Sequence, residues 1–224
     1  MDGFTRDPET AGGAIGKSPA RLMARRAVEG RARHVDDLTL PRTVDVAYVR
    51  SPFAHAEIGE IDTTAASAVP GVIAVVTGAE IAERMTSWIG IMDNMPALKS
   101  VPQYALAVER AVWQGEPVVA VVAESRSIAE DAAELVIVDW QERPVVADML
   151  TALDPATPVL HPEIGDNRMY ERAAEKGDVD AAFASAAHVV EGAYDFGRHT
   201  GVTLEPRTMM SSWDSSEKQL TVYY

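Results

Sequence analysis

Two strand-like runs meet in the stretch Val49-Arg50-Ser51-Pro52-Phe53-Ala54-His55-Ala56-Glu57-Ile58. Residues 44–50 are rich in β-branched types, and residues 57–62 resume an alternating pattern after the Ser-Pro turn, so both predict strands. Pro70-Gly71 ends a short helical segment that Thr63 or Thr64 would cap. Residues 72–77 follow as an apolar run typical of a buried strand. This order of strands and short helices predicts an α+β domain.

The same alternation continues through the middle of the chain. Residues 86–103 are rich in Met, Pro and Asn and lack a period, which indicates a long loop. Gly115-Glu116-Pro117 is typical of a hairpin turn, and we expect it to join strands at residues 105–113 and 118–123. Ser125 or Ser127 would cap an amphipathic helix that ends near residue 136, and residues 137–140 would form a further strand.

The last third of the chain has a different composition. Residues 143–166 contain four prolines and few periodic apolar residues, which predicts a linker across the surface. Asp178 would cap a short helix, and residues 189–196, 203–213 and 219–224 alternate like strands of a second sheet. An apolar strand at the end of the sequence would leave an open edge, so we expect another polypeptide to complete this sheet or the chain to be a fragment.

Bulk properties exclude several classes of function. The 224 residues carry a net charge of −14, which argues against nucleic acid or an anionic membrane as the main partner. The chain has no cysteine, so it offers no thiolate for a disulfide, a zinc site or an iron–sulfur cluster. No apolar run approaches the length of a membrane span and no secretory signal is visible, so we expect a cytoplasmic protein.

No motif in the sequence carries catalysis. Gly12-Gly13-Ala14-Ile15-Gly16-Lys17-Ser18 is one residue too short for a phosphate-binding P-loop and follows no apolar strand. The histidines form no His-Glu-x-x-His pair, and no serine lies in a Gly-x-Ser-x-Gly elbow. His55 is expected to be a buried turn residue. We therefore predict no catalytic residue and no metal ligand in this chain.

One candidate site lies in Arg198-His199-Thr200-Gly201-Val202-Thr203-Leu204-Glu205-Pro206-Arg207. Glu205 and Arg207 flank a proline in a strand-like context, where a bulge can redirect side chains towards a site. Either Glu205 makes a structural pair with an arginine, or this segment lines or supports a cofactor pocket. Both alternatives stay open at this point.

The sequence resembles the molybdopterin-binding large subunit of the xanthine dehydrogenase and aldehyde oxidase family, the molybdenum hydroxylases, over its N-terminal portion only. The resemblance is carried by a series of short words in family order: Ile15-Gly16-Lys17-Ser18, Val49-Arg50-Ser51-Pro52, Pro70-Gly71-Val72, Gly115-Glu116-Pro117-Val118-Val119-Ala120-Val121-Val122-Ala123, Ala129-Glu130-Asp131-Ala132-Ala133-Glu134 and Leu204-Glu205-Pro206-Arg207. It implies an N-terminal arm at 1–34, an α/β hammerhead domain at 35–143, a linker at 144–187 and the incomplete start of a molybdenum-binding domain at 188–224.

The resemblance also implies a function for the complete enzyme. Such an enzyme binds molybdopterin and oxidises an aldehyde or an N-heterocycle with oxygen from water, while FAD and 2Fe-2S centres lie on partner subunits. The residues that do this chemistry in the family lie beyond Tyr224, so only Glu205 and Arg207 are implied as weak supports of the cofactor pocket. The partners implied are the remaining molybdenum-binding polypeptide, an FAD subunit and an iron–sulfur subunit. The alternative is a non-catalytic binding or assembly module with the hammerhead fold.

Overall fold

The structure is a computed structural model that describes residues 18, 21, 23–92, 94–95, 97–197, 199–203 and 207–224. It divides into two compact units, one spanning residues 42–193 and the other formed by the described parts of 1–41 and 194–224. In chain order the elements are α1 (Ala24–Val28), a 3₁₀ helix (Val35–Asp37), β1 (Asp45–Arg50), β2 (Ala56–Asp62), α2 (Thr64–Ser67), β3 (Val72–Thr77), α3 (Gly78–Arg84), β4 (Arg110–Ala111), β5 (Pro117–Ala123), α4 (Arg126–Ala133), β6 (Ile137–Glu142), a 3₁₀ helix (Pro162–Ile164), α5 (Val179–Ser185), β7 (Met210–Asp214) and β8 (Gln219–Tyr223).

The first sheet of the larger unit has the order β1-β5-β3, with antiparallel pairing throughout. After Pro117 the central strand β5 contains only valine and alanine, and Val118, Val119 and Val121 are fully buried. Helices α2 and α4 contact this sheet, and Val121 packs with Ala66 of α2 and Ala132 of α4. β-branched residues suit such a strand because they fill the pleated surface without losing much side-chain freedom.

The second sheet has the order β4-β2-β6, also antiparallel. The expected strand at residues 105–113 is wrong for most of its length, because the structure has only the two-residue strand β4 there. The turn at Gly115 is likewise not a hairpin between paired strands, since β4 pairs with β2 whereas β5 pairs with β1 and β3. The turn therefore carries the chain from one sheet to the other. Gly115 has φ +91° within it, a conformation that favours glycine.

Helix boundaries in this unit follow local capping chemistry. The Thr77 hydroxyl accepts a hydrogen bond from the Glu80 N–H at 3.4 Å, and the Glu80 carboxylate accepts one from the Thr77 N–H at 2.8 Å, which completes a capping box for α3. Ser125 caps α4, as expected. Thr63 occupies the N-cap of α2, as expected, but its side chain makes no capping hydrogen bond, and the Asp62 carboxylate accepts the Thr64 N–H at 2.9 Å instead.

The proline-rich segment after β6 contacts the body of the larger unit. The His55 ring Nδ1 lies 2.8 Å from the Pro144 carbonyl oxygen, and Arg143 pairs with Glu57 at 2.7 Å. His55 is only partly buried, so its expected burial is wrong. Asp178 caps α5, as expected, through a 2.8 Å hydrogen bond from the Ala181 N–H.

The smaller unit contains the antiparallel hairpin β7–β8. The strand expected at 189–196 is absent from these described residues, and among the described residues of 203–213 only those from Met210 onward form a strand. The expected arm at the N-terminus falls mainly outside the described residues. Within the part of the chain that the structure describes, no helix combines the length and the apolar character that a bilayer crossing requires.

Candidate functional site

The sequence singles out Glu205 and Arg207, and the structure describes only one of them. Glu205 lies outside the described residues. Arg207 is exposed and precedes β7 in a segment without regular structure. The relation between the two side chains therefore lies outside the described residues, and the role of this pair stays a prediction.

A groove runs through the smaller unit beside β8. It has a volume of about 370 Å³ and is open to solvent, and the lining residues are Arg33, His34, Val35, Leu38, Val222, Tyr223 and Tyr224. The 3₁₀ helix that follows His34 is held by a 2.9 Å hydrogen bond from the His34 N–H to the Asp37 carboxylate. The groove thus combines aliphatic and aromatic walls with one guanidinium at its rim.

This groove does not fit an anionic pterin cofactor as a site built for it. A phosphate-bearing group requires several convergent N–H donors or cations in an enclosed setting. Arg33 is exposed, and the carboxylates of Asp36 and Asp37 follow it closely in the chain. No buried side-chain nitrogen or oxygen among the described residues is left without a hydrogen-bond partner that a cofactor could satisfy. We therefore derive no chemical step through a cofactor from these residues.

A cluster of ionisable groups lies on the larger unit around Glu116. Its carboxylate accepts the Val112 N–H at 2.7 Å. Burial raises the pKa of Glu116, although the N–H groups of Val112 and Trp113 and the nearby charges of His161 and Arg110 act in the opposite direction. The half-buried Glu116 carboxylate thereby holds the turn at Gly115, through its hydrogen bond with the Val112 N–H.

Glu163 belongs to the same cluster but has the opposite electrostatics. The Arg110 Nη2 lies 2.9 Å from both Glu163 carboxylate oxygens, and the His161 ring Nδ1 lies 3.4 Å from one of them. The backbone N–H of Glu163 itself lowers the pKa of this carboxyl group, and Arg110 and His161 lower it further. Such a pair positions chain segments, since neither residue lines a described pocket.

Sequence reasoning missed these contacts. Arg110 and Glu163 are 53 residues apart, and no periodicity or motif links them. The described residues also hold no group of three or more His, Asp or Glu side chains arranged for a metal ion. The described part of the larger unit thus carries charged surface contacts between segments that are distant in the chain.

The fold defines the class of protein. It is an α+β protein whose two-sheet body is followed, further along the chain, by a hairpin of another sheet. Family models identify both parts. The aldehyde oxidase and xanthine dehydrogenase a/b hammerhead domain matches residues 29–144, and the molybdopterin cofactor-binding domain matches residues 160–224. The chain belongs to the aldehyde oxidase and xanthine dehydrogenase family, and the expected hammerhead fold is confirmed.

Similar proteins include large subunits of several enzymes. The nicotine 6-hydroxylase large subunit of Paenarthrobacter nicotinovorans is 36% identical over 96% of this chain and 26% of its own length. The carbon monoxide dehydrogenase large chain of Afipia carboxidovorans is 35% identical over 93% of this chain and 27% of its own length. The crystal structure of quinoline 2-oxidoreductase from Pseudomonas putida 86 superposes with a TM-score of 0.84 at 34% identity, over 94% of this chain and 26% of that one.

The chain therefore spans about a quarter of the length of the relatives it matches. The two family matches leave residues 145–159 between them. Our boundaries at 34/35, 143/144 and 187/188 stay predictions, since a family match does not define where a domain begins.

Proposed function

We propose that this chain supplies the N-terminal scaffold of a molybdenum hydroxylase that oxidises an aldehyde or an N-heterocycle. In the net reaction, an oxygen atom from water enters a C–H bond of the substrate, and protons and electrons are released. The catalytic residues would belong to the part of the relatives' length that this chain does not span. The chain alone would then be inactive.

The observation that carries this proposal is the hairpin β7–β8, which lies within the match to the cofactor-binding domain. Its strands pair only with each other among the described residues. Trp213 and Leu220 are directly opposite each other and are 61% and 59% exposed. A two-stranded hairpin with an uncovered apolar face is marginal in water, so it favours completion by further strands.

The cofactors follow from the family rather than from a described pocket. Molybdopterin would supply the redox centre of the complete enzyme and would be held mainly by residues outside this chain, with Glu205 and Arg207 as supports of its pocket. FAD and 2Fe-2S centres would lie on partner subunits, which accept the released electrons. The proposed partners are therefore the remaining molybdenum-binding polypeptide, an FAD subunit and an iron–sulfur subunit, and the proposed location is the cytoplasm.

An affinity purification from the native host tests the proposal. The tagged chain should copurify with the partner polypeptides, and elemental analysis should find molybdenum in the assembly. The assembly should also reduce an artificial dye when an aldehyde or N-heterocycle is added. A stable assembly without molybdenum, or isolated chain that oxidises the substrate, would contradict the proposal.

A pair of variants locates the contact that the proposal requires. Trp213→Asp places a charge on the apolar face of the hairpin and should abolish copurification. Val190→Asp is the matched control, because Val190 is 92% exposed and lies outside the hairpin. The control should copurify normally.

The same experiment separates the alternative function. A non-catalytic binding module with the hammerhead fold would remain a folded monomer. Trp213→Asp would then not change which proteins copurify with it. The suggested support of the cofactor pocket by Glu205 and Arg207 is tested separately. Arg207→Ala should lower the molybdenum content of the assembly without preventing copurification.

A further inference from the structure

A short segment at the start of the cofactor-domain match returns to the hammerhead body. We call residues 160–169 the strap. Within the strap, Glu163 binds Arg110 as described above, and Asp166 accepts a 2.7 Å hydrogen bond from Lys99 Nζ. The Lys99 backbone N–H also donates to the Met169 carbonyl oxygen at 2.8 Å. The strap is therefore attached at both of its halves.

Asn167 joins the two halves of the strap and also binds the residues that precede it. The Asn167 side-chain oxygen accepts the Leu160 N–H at 2.9 Å, and its amide nitrogen donates to the Pro158 carbonyl oxygen at 2.9 Å. Asp166 accepts the Arg168 N–H at 3.0 Å in addition to its bond with Lys99. Of these bonds, the one between Leu160 and Asn167 joins the two halves of the strap directly.

The two anchors of the strap belong to different parts of the body. Arg110 lies in β4 and is therefore fixed to the second sheet through β2. Lys99 lies in the long loop at residues 86–103, whose base is closed by hydrogen bonds of 2.7 and 2.8 Å between Trp88 and Gln103. Apart from this closure, the loop is largely exposed, with Ile91 at 83% exposure.

We propose that the strap couples the long loop to the second sheet, so that the position of the loop depends on the Arg110–Glu163 pair. Each ion pair is partly exposed and contributes little by itself. The two pairs act together because the Leu160–Asn167 bond joins the halves of the strap that hold them. The inference concerns contacts within this chain and does not depend on the proposed function.

Hydrogen exchange of the Lys99 amide in the full 224-residue chain tests the coupling. Glu163→Gln removes a charge that is bound to Arg110 and has no described bond to Lys99. If the strap transmits the change, exchange at the Lys99 amide should become about threefold faster, in line with the strength of one exposed ion pair. Asp166→Asn removes the partner of Lys99 itself and should produce an increase at least as large.

Glu130→Gln is the matched control. It breaks the exposed Arg126–Glu130 pair of α4, at 2.8 Å, which has no bond to the strap. Exchange at Lys99 should be unchanged in this variant. The proposal is wrong if Glu163→Gln, with a circular dichroism spectrum like that of the wild type, leaves exchange at Lys99 unaltered. Should Glu163→Gln fail to fold, Arg110→Gln breaks the same pair from the other side and the same two outcomes apply.

Discussion

The strand β5 and the hairpin β7–β8 both carry large apolar side chains, but these side chains are buried to different degrees. In β5, Val118, Val119 and Val121 are fully buried between paired strands and helices. In the hairpin, Trp213 and Leu220 remain more than half exposed. The comparison shows that the stability of an apolar strand depends on the elements that cover it, which the strand's own sequence does not specify.

The largest effect should come from a glycine of the close-packed body. A Cβ at Gly78 would lie 1.9 Å from the Ala107 carbonyl oxygen, a backbone atom that cannot move aside alone. Gly78→Ala should therefore lower the free energy of unfolding by about 3 kcal/mol or more, measured by urea denaturation. Gly201→Ala is the control in the smaller unit, since nothing lies within 4 Å of a Cβ there. Equal effects of the two substitutions would contradict the comparison.

A second substitution compares the same side chain in the two settings. Val121→Ala removes buried methyl groups and leaves a cavity against α2 and α4, so it should cost about 2 kcal/mol. Val222→Ala removes the same groups from β8, where Val222 is 40% exposed, and should cost about 0.5 kcal/mol or less. Urea midpoints of the two variants provide the measurement. A Val222→Ala variant as unstable as Val121→Ala would mean that the hairpin is covered in the isolated chain.

Local chemistry explains which parts of the fold could be predicted from the sequence. β3 at Val72–Thr77 and the cap at Ser125 were predictable because valine runs and capping residues act on their neighbours. The short β4 was not, because its length depends on its pairing with β2 far away in the chain. Local sequence could not assign Gly115 to a crossing between sheets either, since a hairpin turn and such a crossing use the same residues.

Some features of the candidate site could likewise be predicted from the sequence, and others could not. The absence of a catalytic motif was evident from residue types, and the family followed from short words in order. The Arg110–Glu163 and Lys99–Asp166 pairs were invisible because they join residues 53 and 67 positions apart. Only the folded chain brings these charges together, so their role had to be inferred from geometry.

Removing a helix cap should change the free energy of unfolding less than the core substitutions do, and the effect should again depend on whether the helix is packed against the body. Ser125 accepts the Ile128 N–H at the start of α4, which packs on the first sheet. Ser125→Ala should lower the free energy of unfolding by about 1 kcal/mol. Asp178 caps α5, whose described residues are all exposed, so Asp178→Ala should fray α5 without a measurable change in global unfolding. Circular dichroism together with urea denaturation distinguishes the two results.

The smallest effects should appear in the pH dependence of stability, where Glu116 and Glu163 have opposite signs. Burial raises the pKa of Glu116, so the folded state favours its protonated form. The stability it contributes is present below the unfolded pKa of about 4.3 and is lost as the pH rises through the folded pKa. Glu116→Gln removes this loss, so the variant should gain stability relative to the wild type between about pH 4 and pH 7.

Glu163 should behave in the reverse manner. Its own N–H and Arg110 lower the pKa of the folded state, so its contribution is present above the unfolded pKa of about 4.3 and is lost as the pH falls through the folded pKa. Glu163→Gln should therefore lose stability relative to the wild type as the pH is raised from about 3 to about 5. Urea unfolding of both variants across this range measures the two slopes. Slopes of the same sign would contradict the opposite pKa shifts of Glu116 and Glu163.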